Sequence, residues 1–247
     1  MDEVSGILAR PDGQDLAWRR IPGEGPTVLW LGGFNSDMTG TKAEALKTWA
    51  QATGRPFLRF DYFGHGESRG AFQAGTISRW REDALAVLDT LTRGEVLLVG
   101  SSMGAWLACL LALVRADRVK ALVLLAPAID FTDKLLAPSL PQSARDDLAQ
   151  TGVWMRPSEF GAPYPITRTL LEDGAQWSLL PGPIPIRVPV RIIQGQSDAD
   201  VPWTHAMALA AALPGPDLVT TLIRDGDHRL SRPQDLSRLI AAVEAVI

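Results

Sequence analysis

A five-residue motif in the middle of the chain has the composition of a turn that presents a nucleophile. Gly100-Ser101-Ser102-Met103-Gly104 matches G-x-S-x-G and lies between an aliphatic run and an apolar segment of helical length. A strand-to-helix turn of this kind strains the backbone and projects the serine hydroxyl outward. We therefore expect Ser102 to be the nucleophile. Ser101 is the rival but lacks a glycine two positions earlier, and a glycine-rich turn with an incidental serine is the non-functional interpretation.

A serine hydroxyl is a weak nucleophile at neutral pH and needs a general base. The chain has three histidines, His65, His205 and His228. His228 ends Asp225-Gly226-Asp227-His228, a loop after a predicted strand, at the sheet edge where the sites of open α/β folds gather. His228 is therefore the expected base. His65, between two glycines, fits turn packing at least as well as function, and His205, early in a helix, is expected to face solvent.

The base in turn needs a carboxylate, which fixes its tautomer and stabilises the imidazolium. Asp198 and Asp200 both fit the chain order of serine, acid, histidine. Asp198 comes first after a predicted strand, which favours it, whereas Asp200 is placed to cap the next helix. Asp225 and Asp227 are too near His228 in sequence to be the expected partner.

Acyl transfer also needs donors for a tetrahedral oxyanion. One is conventionally the amide after the nucleophile and the other an amide in the loop after the third strand. Here these are Met103 and Phe34, the latter in Leu31-Gly32-Gly33-Phe34. The small residues let backbone amides approach a ligand, and a plain tight turn is the alternative interpretation.

These residues need a scaffold, and short aliphatic runs alternate with longer segments of helical period along the chain. The alternation predicts an α/β fold, a mostly parallel twisted sheet with helices on both faces. The predicted strands cover 7–10, 16–20, 27–31, 56–60, 95–99, 119–125, 190–194 and 218–223. The predicted helices cover 41–53, 76–92, 105–114, 203–213 and a last one from about 234. Thr41 and Glu44 have the spacing of a capping box.

The pattern breaks over residues 127–189, which hold ten of the 18 prolines and short amphipathic pieces instead of the alternation. We interpret this segment as a lid inserted into a single domain that spans 1–247. Trp154 and Trp177 lie in it and fit an acyl pocket or plain packing equally well. Arg156 and Arg168 fit an anionic leaving group, although an arginine is more often simply solvated.

The 247-residue composition excludes several classes of function. A formal charge of −4 argues against nucleic acid as a partner. The single cysteine, Cys109, cannot form an internal disulfide and is interpreted as a core residue. No apolar run is long enough to span a bilayer, and the acidic start Met1-Asp2-Glu3 predicts a cytoplasmic protein. No dinucleotide, P-loop or zinc-ligand spacing is found, so we expect no cofactor and no metal.

Further motifs make the chain resemble the α/β-hydrolase superfamily and, within it, the mitochondrial abhydrolase-domain proteins described as palmitoyl-protein thioesterases and acyl-glucuronide esterases. The resemblance covers nearly the whole chain. Besides Gly100-Ser101-Ser102, its motifs are Thr39-Gly40-Thr41-Lys42-Ala43, Arg59-Phe60-Asp61-Tyr62, Gly152-Val153-Trp154, Val201-Pro202-Trp203 and Asp227-His228-Arg229. It implies a triad of Ser102, Asp198 and His228, hydrolysis of esters or thioesters, and no cofactor.

The sequence thus predicts a serine esterase or thioesterase that acts on a small molecule or an acylated protein. Two alternatives remain open: an acyltransferase or lyase that keeps Ser102, and a ligand-binding module that has lost turnover. Because the fold alone does not fix the function, the acyl group and the leaving group stay undetermined.

Overall fold

The computed structural model describes residues 2–158 and 162–247. Within them the strands are β1 (Val4–Leu8), β2 (Leu16–Ile21), β3 (Thr27–Leu31), β4 (Phe57–Phe60), β5 (Val96–Ser101), β6 (Val119–Leu125), β7 (Val153–Arg156), β8 (Tyr164–Thr167), β9 (Val190–Gly195) and β10 (Leu218–Ile223). The helices are α1 (Thr41–Thr53), α2 (Ile77–Leu91), α3 (Met103–Val114), α4 (Ala137–Ser139), α5 (Gln142–Gln150), α6 (Arg168–Ala175), α7 (Trp203–Ala212) and α8 (Pro233–Glu244).

In this part of the chain the main sheet has eight strands in the order β1-β2-β4-β3-β5-β6-β9-β10. The pairs β1–β2 and β2–β4 are antiparallel, and every other neighbouring pair is parallel. The predicted mostly parallel α/β architecture is confirmed. Because parallel strands end at the same edge, the loops after β3, β5, β9 and β10 are brought together there.

The sheet is buried on both faces. Leu98 of β5 packs in the core on the side of α2, α3 and α7, whereas Leu97 and Val99 pack on the side of α1 and α8. Since successive side chains of a strand point to opposite faces, a buried parallel strand is apolar at every position. The unbroken aliphatic runs seen in the sequence have this cause.

Two local predictions are wrong. Gly40 occupies the N-cap of α1 without a side-chain bond, and the Glu44 carboxylate binds Arg59 instead of closing a capping box. Arg59 is fully buried and also binds Glu3, because a buried guanidinium requires carboxylate partners. Strand β1 lies earlier than predicted, since the carbonyl of Arg10 accepts from Gly13 N at 2.9 Å and joins the turn.

The chain leaves the main sheet after β6 and returns at β9, which pairs directly with β6. The intervening residues include a π-helical turn (Phe131–Leu136), α4, α5, α6 and the antiparallel pair β7–β8. The sequence pattern did not predict this strand pair. A small apolar cluster holds these elements together, formed by Leu136, Leu140, Ala144, Leu148 and Ile166.

Candidate active site

Ser102 occupies the turn between β5 and α3 in a conformation that a residue with a side chain rarely adopts. Its φ is 56° and its ψ is −119°. Backbone bonds hold it there, because its amide donates to Leu125 O at 2.9 Å and its carbonyl accepts from Ala105 N at 3.0 Å. Helix and strand approach closely, since a Cβ on Gly104 would lie 2.0 Å from Leu31 O. Strain of about 1–3 kcal/mol is thus kept at the predicted nucleophile by its surroundings.

His228 follows β10 and stands between Ser102 and Asp198. Its Nδ1 lies 2.8 Å from Asp198 Oδ2, and its Nε2 lies 3.1 Å from Ser102 Oγ. Because an ionised carboxylate only accepts, Nδ1 carries the proton and Nε2 is free to accept from the hydroxyl. The Asp198 side chain is fully buried, whereas that of His228 is 25% exposed. The arrangement can take a proton from Ser102 while remaining reachable by water.

Asp198 lies in the loop after β9, and its carboxylate accepts from four donors. Its Oδ1 accepts from the amides of Asp200 at 2.9 Å and Val201 at 2.8 Å. Its Oδ2 accepts from His228 and from Gln194 Nε2 at 3.1 Å. Gln194 is fully buried and donates also to the carbonyls of Gly195 and Val201. Gln194 was not among the residues predicted from the sequence, although it is a lone amide inside the apolar run of β9.

The rival acids are engaged elsewhere. The carboxylate of Asp200 is exposed and pairs with Arg156 at 3.1 Å, and it makes no cap bond to α7, whose N-cap is Pro202. Asp225 pairs with Arg232, and Asp227 accepts from the amide of Leu230. Of the four aspartates considered from the sequence, Asp198 hydrogen-bonds His228, whereas the nearby Asp200 pairs with Arg156.

Both predicted oxyanion donors lie beside Ser102. Met103 is the first residue of α3, where an amide has no acceptor within its own helix. Phe34 follows Gly33, on which a Cβ would lie 3.4 Å from the Cβ of Ser102. Ser36 closes this loop by donating from its amide and its hydroxyl to Gly33 O, at 3.3 and 2.7 Å.

The other two histidines have protein partners. His65 is buried, and burial lowers its pKa to about 4. Its Nε2 accepts from Asn35 N at 3.2 Å. His205 is half-buried, and its Nε2 lies 2.8 Å from Ile129 O, so the expectation of a solvent-facing side chain is corrected.

An aromatic cluster connects the loop after β3 to the inserted segment. The ring of Phe34 makes inclined contacts with Phe72, Phe131 and Tyr164, at centroid distances of 5.0, 5.6 and 5.8 Å. Tyr164 belongs to β8, and Phe131 opens the π-helical turn. An apolar wall made partly by the insertion therefore lies next to the residue predicted to bind the oxyanion.

The four residues predicted to contact substrate lie in or beside the insertion, and each has a protein contact. Trp154 packs on the apolar cluster of the insertion, and Arg156 pairs with Asp200. Arg168 donates to Leu148 O and Ala149 O at the end of α5, and Trp177 donates to Ser78 Oγ at 2.8 Å. Arg168 and Trp177 thus have structural partners that the sequence did not predict.

Lys42 also approaches the His228 loop. Lys42 donates to the carbonyl of Arg229, and burial, followed by the nearby Arg229 charge, lowers its pKa to about 8. Carboxylate oxygens of Asp198 and Asp200 and a ring nitrogen of His228 lie within 4.8 Å of one another, a spacing that a metal ion could use. Asp198 and His228, however, are hydrogen-bonded to each other in the chain that leads to Ser102.

The known proteins that this chain resembles include alpha/beta hydrolases. The family model described as the alpha/beta hydrolase family matches residues 14–239. The mitochondrial palmitoyl-protein thioesterase ABHD10 of Bos taurus is 34% identical over 98% of this chain and 79% of its own length. The human protein of that name is 33% identical over 98% of this chain and 79% of its own length.

Solved structures agree with this relationship. A putative hydrolase from Agrobacterium vitis S4 superposes with a TM-score of 0.93 and 45% identity, over 100% of this chain and 98% of that one. Alpha/beta hydrolase domain-containing protein 10 from mouse gives 0.90 and 32%, over 98% and 97%. Among residues 2–158 and 162–247, no helix combines the length and apolarity needed to cross a bilayer. The two ABHD10 relatives are named mitochondrial, and the cytoplasmic location expected from the sequence stays a prediction.

Proposed function

The chain belongs to the alpha/beta hydrolase family, and on that premise we propose that it hydrolyses acyl thioesters or carboxylic esters through an acyl-enzyme on Ser102. The observation that carries the proposal is the hydrogen-bond chain from Asp198 through His228 to Ser102, at 2.8 and 3.1 Å. The tautomer of His228 is the one that a serine nucleophile requires, and the order serine, acid, histidine is typical of alpha/beta hydrolases.

In the proposed reaction, Ser102 Oγ attacks the acyl carbonyl while His228 Nε2 takes the hydroxyl proton. Asp198 stabilises the imidazolium, and the amides of Phe34 and Met103 bind the oxyanion. The tetrahedral intermediate collapses, and the departing thiol or alcohol takes the proton from His228. A water molecule then attacks the acyl-enzyme by the same route, releasing the acid and restoring the serine.

For the substrate, we propose an acyl group carried on a protein or on a small thiol or alcohol. Two observations support it. Relatives at 33–34% identity are named palmitoyl-protein thioesterases. The aromatic wall of Phe34, Phe131 and Tyr164 beside the oxyanion loop offers apolar surface to an acyl chain. An anionic leaving group would meet Arg156, whose guanidinium pairs with Asp200 in the loop after β9.

We further propose that 127–189 acts as a lid within one domain. The direct pairing of β6 with β9 supports an insertion that leaves the main sheet complete. The contact of Tyr164 with Phe34 supports a covering position over the acyl side of the site. The lid then determines which acyl groups enter, because it supplies wall residues but no member of the triad.

A chain-length series of acyl-CoA thioesters and p-nitrophenyl esters tests this function, with the wild type beside Ser102→Ala. Wild-type turnover with a preferred chain length is expected, together with a loss of about 10⁶-fold in kcat in the variant. Turnover that survives Ser102→Ala would sink the proposed mechanism. Product analysis with a competing alcohol separates hydrolysis from acyl transfer, since a transferase would give the new ester instead of the free acid.

A further inference from the structure

The turn Gly64-His65-Gly66 has no part in the mechanism above, yet it holds a buried imidazole against the oxyanion loop. The backbone of Gly64 has a φ of +72°, and a Cβ there would lie 2.7 Å from the Cα of Phe72. The amide of His65 donates to Tyr62 O at 2.9 Å. The ring is therefore carried by a turn that only glycine can make, and its position is fixed from both sides.

Both ring nitrogens of His65 have partners that allow one tautomer. Nδ1 lies 3.1 Å from the carbonyl of Phe63, which can only accept, so Nδ1 carries the proton. Nε2 is then the acceptor for the amide of Asn35 at 3.2 Å. Burial lowers the pKa of His65 to about 4, so the ring stays neutral and Nε2 remains an acceptor at neutral pH.

The bond to Asn35 controls the geometry of its neighbour, Phe34. A peptide unit is planar, so fixing its carbonyl fixes the opposite N–H of the same plane. Ser36 binds the carbonyl of Gly33, which shares a plane with the amide of Phe34. His65 binds the amide of Asn35, which shares a plane with the carbonyl of Phe34. The two peptide planes that flank Phe34 are thus each held by one side chain.

The backbone at this point has an uncommon conformation that the bond from Asn35 to His65 helps to hold. Asn35 has a φ of 55°, in the left-handed region that residues with side chains seldom occupy. Backbone strain of this kind persists where the surroundings over-determine the conformation. His65 is the side chain that binds the strained residue's own amide, directly after the predicted oxyanion donor.

We propose that His65 is a positioning residue of the oxyanion hole, acting as a neutral acceptor that aims the amide of Phe34 at the reacting carbonyl oxygen. It touches no substrate atom. The inference rests on the proposed function, because it assigns a role within that same site. Its effect belongs to the transition state, since the oxyanion is absent from bound substrate.

The test compares His65→Phe, which keeps an aromatic ring but lacks both nitrogens, with His65→Gln, whose side-chain oxygen can accept from Asn35. We expect His65→Phe to lower kcat about 10- to 100-fold with KM within about twofold. The affinity for a trifluoromethyl ketone, which forms a tetrahedral oxyanion on the serine, should fall by the same factor. His65→Gln should recover most of both. His205→Phe, which also loses a ring bond to a carbonyl, is the matched control and should stay within about twofold of wild type.

Thermal unfolding of each variant separates loss of fold from loss of positioning. If His65→Phe does not fold, Ser36→Ala takes its place, because it removes the 2.7 Å bond to Gly33 O from an exposed residue and should give a smaller effect of the same kind. A folded His65→Phe with unchanged kcat, or with lowered kcat and unchanged ketone affinity, overturns the inference. A wild type that neither turns over thioesters or esters nor binds the ketone overturns the proposed function itself.

Discussion

The edge of the sheet that carries Ser102 and the inserted segment that faces it are built in different ways. At the sheet edge, strand ends and short loops bring together the hydroxyl, the imidazole and the carboxylate, and the carboxyl group has four donors. In the insertion, polar side chains bind other parts of the insertion, as Arg168 does at the end of α5, or distant segments, as Trp177 does at Ser78. At the sheet edge, the positions of the side chains follow from the strands. In the insertion, they follow from packing between distant segments.

This contrast assigns different consequences to mutations in the two regions. A change at the sheet edge removes an interaction with the reacting atoms or with a group that touches them. A change in the insertion alters a wall, an exposed ion pair or a helix end. We therefore expect large kinetic effects from the first set and small or purely structural effects from the second.

The largest difference between two variants is expected for the neighbouring acids Asp198 and Asp200. Asp198→Asn should lower kcat about 10⁴-fold, because the amide favours the wrong tautomer of His228. Asp200→Asn is the matched control and should change kcat only a few-fold, since its carboxylate binds Arg156 at the surface. Steady-state kinetics on one ester decides the matter. Equal losses in the two variants would remove Asp198 from its assigned role.

The pKa of His65 predicts a pH-dependent stability. In the folded protein this pKa is about 4, against 6.5 ordinarily, so the unfolded chain binds a proton first as the pH falls. The contribution of His65 to the free energy of unfolding should therefore drop as the pH falls from above 6.5 towards 4, by about 2 kcal/mol between about pH 7 and pH 5. Burial raises the pKa of Asp83 to about 6, so Asp83 contributes to the pH dependence of stability in the opposite direction. The effect of His65 is therefore measured against a variant that keeps Asp83.

Urea unfolding of wild type and His65→Gln at both pH values isolates the histidine. The variant lacks the titrating ring, so its stability should fall less than that of wild type on acidification. An identical pH dependence in the two proteins would show that His65 is not held neutral by the fold.

A smaller loss of kcat is expected from a change at Gln194, at the same edge of the sheet. In Gln194→Met the side chain keeps its approximate volume but loses the bonds to Asp198, Gly195 and Val201. We expect kcat to fall about tenfold through misplacement of the acid. Steady-state kinetics and thermal unfolding of the variant separate the two roles. Lost stability with unchanged kcat would make Gln194 a packing residue only.

The smallest effects are expected from the two arginines of the insertion. Arg156→Ala should raise KM for an acyl glucuronide at most about fivefold and leave a neutral ester unchanged, because an exposed ion pair is worth ~1 kcal/mol or less. Arg168→Ala should lower stability by about 1 kcal/mol through lost bonds to the end of α5, with KM unchanged for both substrates. An equal rise in KM for both substrates in Arg156→Ala would refute the recognition of an anionic group.

The sequence predicted the sheet edge better than the insertion for a physical reason. Ser102, Asp198 and His228 each follow a strand whose apolar run is visible in the sequence, and parallel strands end together. The contact of His65 with Asn35 crosses 30 residues and depends on loop conformation, which no periodicity records. Strands β7 and β8 are as short as β4 but only partly buried, so they lack the apolar run that marks the strands of the main sheet.

The capping box failed for a related reason. Thr41 and Glu44 have the right spacing, but a buried charge at Arg59 competes for the same carboxylate. Burial is a property of the folded chain, so local spacing could not reveal that competition. Gln194 and the partners of Arg168 escaped prediction in the same way, since their contacts form only when the loops and α5 are in place.

Intact-mass measurement of a fluorophosphonate adduct on wild type, Ser102→Ala and Ser101→Ala tests the central claim most directly. The claim is that Asp198 and His228 activate the hydroxyl of Ser102 and no other. One adduct on wild type and on folded Ser101→Ala, with none on folded Ser102→Ala, is the predicted result. An adduct that persists on Ser102→Ala, or that is lost from a folded Ser101→Ala, would contradict it.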